Sequence, residues 1–150
     1  MFKKAVVGGT FDRFHMGHKE ILKKAFNIAD SVVIGMTSDE FANRFRSFET
    51  LSYEKREKIV EGYVKTMGKG YNIVEIHDSY GIATIDPDID CIVVSEETLL
   101  RAEEINAIRF KKGIPKLNIL MIPIMLAQDG KPISSERIIR REIDPEGRKI

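Results

Sequence analysis

The sequence predicts an open, doubly wound α/β domain built on a five-stranded parallel sheet with helices on both faces. Three observations predict it. Five short apolar runs recur along the 150 residues, helical patterns separate them, and each run is apolar on successive residues, as in strands covered on both faces.

The elements follow in order. "KKAVVGG" is the first strand, ending at Gly8-Gly9, and Ile21, Leu22, Ala25, Phe26 and Ala29 then recur at helical spacing. "SVVIGMT" is the second strand. Ser52 is the expected N-cap of a second helix with an apolar stripe at Ile59, Val60, Tyr63, Val64 and Met67. "YNIVEIH" and "DCIVVS" are the third and fourth strands. A further helix should begin after Ser95 and stop at "KKGIP", where Gly113 ends it and Pro115 cannot continue it, before the fifth strand "LNILMIP". No repeat, low-complexity tract or linker divides the chain, so a single domain over residues 1–150 is expected. In such a Rossmann-like sheet, ligands sit at the carboxyl ends of the strands near the topological switch point.

Composition narrows the function. Lys and Arg total 24 against 23 Asp and Glu, a formal net charge of +1, which does not describe a general polyanion-binding surface. The basic cluster "RIIRRE", with Arg148 and Lys149 beyond it, lacks interleaved aromatics and is diluted by Glu136, Glu142, Asp144 and Glu146. A nucleic-acid-binding module therefore ranks below an enzyme, and no nucleic-acid partner is expected. Cys91 is the only cysteine, which excludes an internal disulfide or a multi-cysteine metal site and suits a small core residue. With no signal-like segment and no run approaching the roughly 18 apolar residues of a membrane span, a cytoplasmic protein without membrane partners is expected.

The stretch "VVGGTFDRFHMGHKEIL", Val6 to Leu22, carries the chemistry. The fold class sets Gly8, Gly9 and Thr10 at the carboxyl end of the first strand. Two glycines there suit a tight turn and close approach of backbone to ligand, and Thr10 offers a hydroxyl and an N–H to a phosphate. His15 and His18, three residues apart at the start of the first helix, fall on one face, with Gly17 beside them leaving space for a bulky anion. Both imidazoles can then serve one phosphate. A His-x-x-His metal site is the poorer reading, since His77 is remote and no Cys or Glu flanks the pair at ligand spacing, so no metal-ligating residues are assigned.

"GTFDRFHMGH" resembles the Gly-Thr-Phe-Asp and His-x-Gly-His signature of the nucleotidyltransferase superfamily. "GHKEIL", "VVSEETLLRAEEINAIR" and "AQDGKPISSERIIRREID" narrow the resemblance to the archaeal and eukaryotic type of phosphopantetheine adenylyltransferase, from Phe2 to about Asp144. A cytidylyltransferase or flavin-adenine-dinucleotide synthetase would share the first signature, and a nucleotide sensor without turnover would share the turn but not explain both histidines. The resemblance implies adenylyl transfer from ATP to 4′-phosphopantetheine, giving dephospho-coenzyme A and pyrophosphate, with Mg²⁺ bridging phosphate oxygens. It implies catalytic roles for His18, His15 and Thr10, and an ATP site including Gly8, Gly9, Phe11, Ser95, Glu96, Glu97, Thr98, Ser134, Ser135 and Arg137. For the Ser95 to Thr98 segment, helix capping is an equal reading.

Two groups of arginines stay open at this level. Relatives commonly read Ile-Ser-Ser-Thr-x-Ile-Arg where this chain has Ile133-Ser134-Ser135-Glu136-Arg137-Ile138-Ile139. Because Ile139 cannot bind phosphate, either Arg137 or Arg140 takes that role or ATP is held less tightly here, and Arg137, nearer the helix start, is the expected one. Arg44, Arg46 and Arg56, in or beside the segment leaving the second strand, are candidates to clamp the acceptor phosphate and the leaving pyrophosphate, with Thr10 shared between the substrates. A solvated charged face is the competing reading, most of all for Arg46.

Overall fold

The computed structural model describes residues 1–44 and 46–150. Strands β1 (Phe2–Gly9), β2 (Ala29–Thr37), β3 (Gly70–Ile76), β4 (Cys91–Ser95) and β5 (Asn118–Ile122) form one parallel sheet in the order β3-β2-β1-β4-β5. The expected five-stranded Rossmann-like sheet is the one observed. Helices α1 (Met16–Ile28) and α3 (Tyr53–Val64) cover one face, and α4 (Leu99–Lys111) covers the other, with short helices α2 (Asp39–Asn43) and α5 (Ser135–Ile139) above the sheet's carboxyl edge.

The alternation of side chains along the strands divides the core into two layers. Ala5, Val7, Val32, Ile34, Cys91 and Val93 pack with Leu22, Phe26, Val60 and Val64 beneath α1 and α3. Val6, Val33, Ile92 and Val94 pack with Ala102 and Ile105 of α4. Cys91 is accordingly a core residue, and burial pushes its thiol up to about 11. Coverage weakens at the edges: β3 and β5 are half-exposed, unlike the central strands.

Caps form where the local chemistry predicts them. Ser52 accepts from the Lys55 N–H at the start of α3, and Gly113, at φ 77°, ends the turn after α4. After β5 the chain crosses the carboxyl edge and returns to α1, where the Met16 N–H donates to the Pro145 carbonyl. A third small core of Ala127, Ile133 and Ile143 holds that segment against Met16.

Candidate active site

β1 lies between β2 and β4 and delivers Gly8, Gly9 and Thr10 to the switch point. The turn beyond it departs from expectation. Gly8 and Gly9 are strand residues, and the left-handed positions are Phe11 at φ 54° and Arg13 at φ 45°. The glycines therefore do not make the turn; Gly9 makes room beside it, because a Cβ there would stand 3.2 Å from the Phe11 ring. Left-handed backbone at two side-chain-bearing residues is costly and persists because the surroundings hold it. Phe11 is buried, and the buried Asp12 carboxylate accepts from the Leu51 N–H at 2.8 Å and from Arg13 Nη1 at 2.9 and 3.0 Å. The Asp12 carbonyl accepts from Ser135 Oγ at 2.6 Å, fastening the carboxyl-terminal helix to the same turn.

The two histidines form the N-terminal cap of α1. His15 Nδ1 accepts from the Gly17 N–H at 3.0 Å, and His18 Nδ1 accepts from the His15 N–H at 3.1 Å. Each neutral ring therefore carries its proton on Nε2, and the cap fixes both tautomers. The rings stack with centroids 3.7 Å apart, and Phe11 and Phe14 flank His18. Gly17 makes room for this stack, since a Cβ would fall 2.9 Å from His15 Cε1. Burial lowers the His15 pKa to about 4 against the opposing pull of Asp12. Burial, then His15 and Arg46, hold His18 well below the usual histidine range. At neutral pH the pair is two uncharged N–H donors.

Two lobes open over this cap and meet along Gly8, Gly9, Thr10, Ile21, Arg46, Ser95 and Thr98. The smaller, of about 290 Å³, contains Phe11, His15, His18, Glu97, Ser134 and Ser135. The larger, of about 410 Å³, extends over Thr37, Ile76, Tyr80, Ile82, Ile105 and Arg101. Most of the sequence-predicted residues are thus brought together, but Glu96 lines neither lobe.

The arginines sort differently from expectation. Arg56 is fully buried and donates to the carbonyls of Leu51, Thr10 and Thr37 and to the Asp39 carboxylate, at 2.8 to 3.0 Å. It braces the strand ends from behind and lines neither lobe, which corrects its reading as a direct phosphate clamp. Arg44 is exposed, 3.7 Å from Glu40, and is likewise outside the lobes. Arg137 is committed to Asp129, to Glu142 at 3.0 Å and to the Lys131 and Pro132 carbonyls. Its pKa is raised by the hydrogen bond it donates to Asp129 and then by the one it donates to Glu142, and it lines neither lobe, so the expected triphosphate contact is corrected to a brace of the carboxyl-terminal segment. Arg140 pairs with Glu136 at 2.8 Å and does not replace it. Arg46 is the one arginine among the described residues lining both lobes. Its Nη1 donates to the Ala42 carbonyl at 2.7 Å, and burial lowers its pKa.

Ser134 caps α5 by accepting from the Arg137 N–H at 3.3 Å, so both serines of that pair are engaged within the chain. Ser95 and Thr98 form a cap in which the Ser95 N–H donates to Thr98 Oγ1 at 3.1 Å, and they also line both lobes, so capping and site-lining coincide there. Sequence reasoning passed over Thr37 and Arg101. Arg101 lies one helical turn beyond Thr98, a spacing that could have flagged it; Thr37 carried no local signal.

Comparisons with known proteins agree with this geometry. The cytidylyltransferase-like family model matches residues 6–141. A phosphopantetheine adenylyltransferase of Methanothermobacter thermautotrophicus is 45% identical over 150 residues, covering 99% of this chain and 90% of that protein. Another, of Methanopyrus kandleri, is 43% identical over 145 residues, covering 95% and 92% respectively. Among solved structures, a protein of unknown function from Archaeoglobus fulgidus has a TM-score of 0.71 at 35% identity, covering 79% of this chain and 88% of that one.

Proposed function

This chain belongs to the cytidylyltransferase-like family and, within it, to the phosphopantetheine adenylyltransferases, and from that premise we propose how its residues carry the reaction. The enzyme transfers the adenylyl group of ATP to 4′-phosphopantetheine, giving dephospho-coenzyme A and pyrophosphate. An oxygen of the acceptor phosphate attacks the α-phosphorus in line, its bond forms as the bond to the leaving pyrophosphate oxygen breaks, and no covalent enzyme intermediate is required. Catalysis then rests on holding the two phosphates together and on donors aimed at the developing charge.

One observation carries this reading: the two fixed Nε2–H donors of His15 and His18 stand beside the rim where both lobes meet. ATP is assigned to the smaller lobe, with the His-x-Gly-His turn and Ser134-Ser135. The acceptor is assigned to the larger, whose Ile76, Ile82 and Ile105 suit an extended amide-linked arm. His18 supplies the principal contact to the α-phosphate in the transition state, and His15 and Thr10, the latter through its N–H and its hydroxyl, hold the phosphates. Because both histidines are neutral, positive charge at the junction is assigned to Arg46.

Mg²⁺ would accompany ATP in this reading and would neutralise charge on its phosphates. Asp12 is engaged by Arg13 and the Leu51 N–H and lines neither lobe, so the donors that would suit the ion are phosphate and water oxygens, with Glu97 the carboxylate that lines the smaller lobe. Cytoplasmic residence belongs to the same reading; no helix among the described residues is long and apolar enough to cross a membrane.

The test is a pyrophosphate-release assay pairing ATP or CTP with phosphopantetheine, glycerol phosphate, flavin mononucleotide or nicotinamide mononucleotide. Release is expected with ATP and phosphopantetheine. Turnover only with another acceptor overturns the substrate assignment and leaves the reaction class standing.

A further inference from the structure

Thr37 is the last residue of β2, 27 positions from Thr10, and no motif includes it. The parallel register nevertheless brings the two together: Gly9 pairs with Met36, so Thr10 and Thr37 leave neighbouring strands side by side. Their hydroxyl oxygens are 2.9 Å apart. Thr37 is 6% exposed and lies at the floor of the larger lobe, whereas Thr10 lines both lobes. Behind them one guanidinium nitrogen, Arg56 Nη1, accepts no part in the lobes but donates to both carbonyls, at 2.9 Å to Thr10 and 2.8 Å to Thr37. The two residues are therefore held as a unit at backbone and side chain.

A phosphate over Thr10 settles the direction of the hydroxyl bond. An ionised phosphate oxygen accepts hydrogen bonds and offers no proton, so a Thr10 hydroxyl that touches it must donate to it. Its oxygen is then free to accept from Thr37, and a relay of two donors in one direction polarises the outer one. We propose that Thr37 is a positioning residue for the transfer reaction, its hydroxyl donating to Thr10 Oγ1 so that the Thr10 proton is turned toward the acceptor phosphate. This rests on the assignment of Thr10 as a phosphate contact.

The test is a double-mutant cycle with Thr37→Val, Thr37→Ser and Thr10→Val, assayed by pyrophosphate release with thermal melting alongside. Valine keeps the branched shape of a strand residue and removes only the donor. Thr37→Val is expected to lower kcat/KM for phosphopantetheine about 10-fold, with the KM for ATP changing less than about twofold. Thr37→Ser should restore turnover to near the unaltered level, and Thr37→Val should add nothing in the Thr10→Val background. Unimpaired turnover in Thr37→Val, or equal losses in both Thr10 backgrounds, overturns the proposal. So does a parallel rise in the KM for ATP, which marks general collapse of the turn. Failure of the underlying assignment is distinct: Thr10→Val then turns over normally, which removes the phosphate contact and the relay with it.

Discussion

Two arginines are almost wholly enclosed, Arg56 at 0% and Arg109 at 1% exposure, and they serve opposite ends of one sheet. Arg56 gathers the carbonyls of Thr10, Thr37 and Leu51 where β1 and β2 end. Arg109 gathers those of Asp86, Ile89 and Pro115 where the chain approaches β4 and β5, with Ala83 as a fourth acceptor. The chemistry is the same: a planar fork of donors satisfies several loop carbonyls that no strand can pair. Their consequences differ. Of the Arg56 carbonyl acceptors, Thr10 lines both lobes and Thr37 the larger one, whereas of the Arg109 acceptors only Ala83 reaches a lobe, at its floor. A buried arginine is thus a structural device whose functional weight depends on which carbonyls it organises.

The sharpest test compares the two directly. Arg56→Ala and Arg109→Ala should each destabilise the fold by about 3–5 kcal/mol, since each leaves several buried carbonyls unsatisfied. Urea unfolding measures that common loss. Activity per folded molecule should then separate them, falling for Arg56→Ala and holding for Arg109→Ala; equal activities would break the distinction.

His18→Ala belongs to the site end alone. It should lower kcat by roughly 10²- to 10³-fold, the range for removing one transition-state donor, with ATP affinity changing far less and a smaller loss of stability, about 1 kcal/mol, from the missing cap acceptor. Near-normal kcat in steady-state assays would remove His18 from the mechanism.

The histidine cap also predicts a pH dependence of stability with a definite sign. Unfolded His15 takes up a proton near pH 6.5, whereas in the fold its pKa is lowered to about 4. Between those values the unfolded chain binds more protons, so stability falls as pH falls, on the order of 3 kcal/mol for His15, with His18 adding in the same direction. Melting curves between pH 7 and pH 4 read this loss directly. His15→Gln should flatten the profile, and a profile unchanged by that substitution would contradict the neutral cap.

The smallest expected effects contrast Arg46 with Arg137. Arg46→Ala should raise a substrate KM by about 10-fold, as for loss of one charge-assisted phosphate contact. Arg137→Ala should lower the melting temperature through its ties to Asp129 and Glu142 and leave the KM for ATP in place. The reverse order in steady-state kinetics would return the phosphate role to Arg137.

Much of this was legible without coordinates. Successive apolar residues announced covered strands, Ser52 and Gly113 announced helix ends, and the spacing of His15 and His18 announced a site at the first helix. These are local signals, because a strand's pleat, a helix's unsatisfied termini and a three-residue spacing act within one turn of chain. The reading went astray where the partner was remote: Arg56, offered as a phosphate clamp, is taken up by the Thr10 and Thr37 carbonyls, 46 and 19 residues away. Gly9 and Gly17 showed a finer gap, since each also makes room for a ring of its own segment.

By itself the sequence determined the class of sheet, the end of it that binds ligand and the motif that marks the family. Only the tertiary structure decided what each arginine does. Arg44, Arg46, Arg56 and Arg137 are chemically identical, and a guanidinium donates to whatever acceptors the fold sets around it. For Arg56 these were the carbonyls of two strands 27 residues apart in Thr10 and Thr37, for Arg137 the acids of one returning loop, and for Arg46 the open rim between two lobes. Thr37 shows the same limit, since the hydroxyl that faces Thr10 was brought there by the register of β1 against β2, which no local pattern encodes.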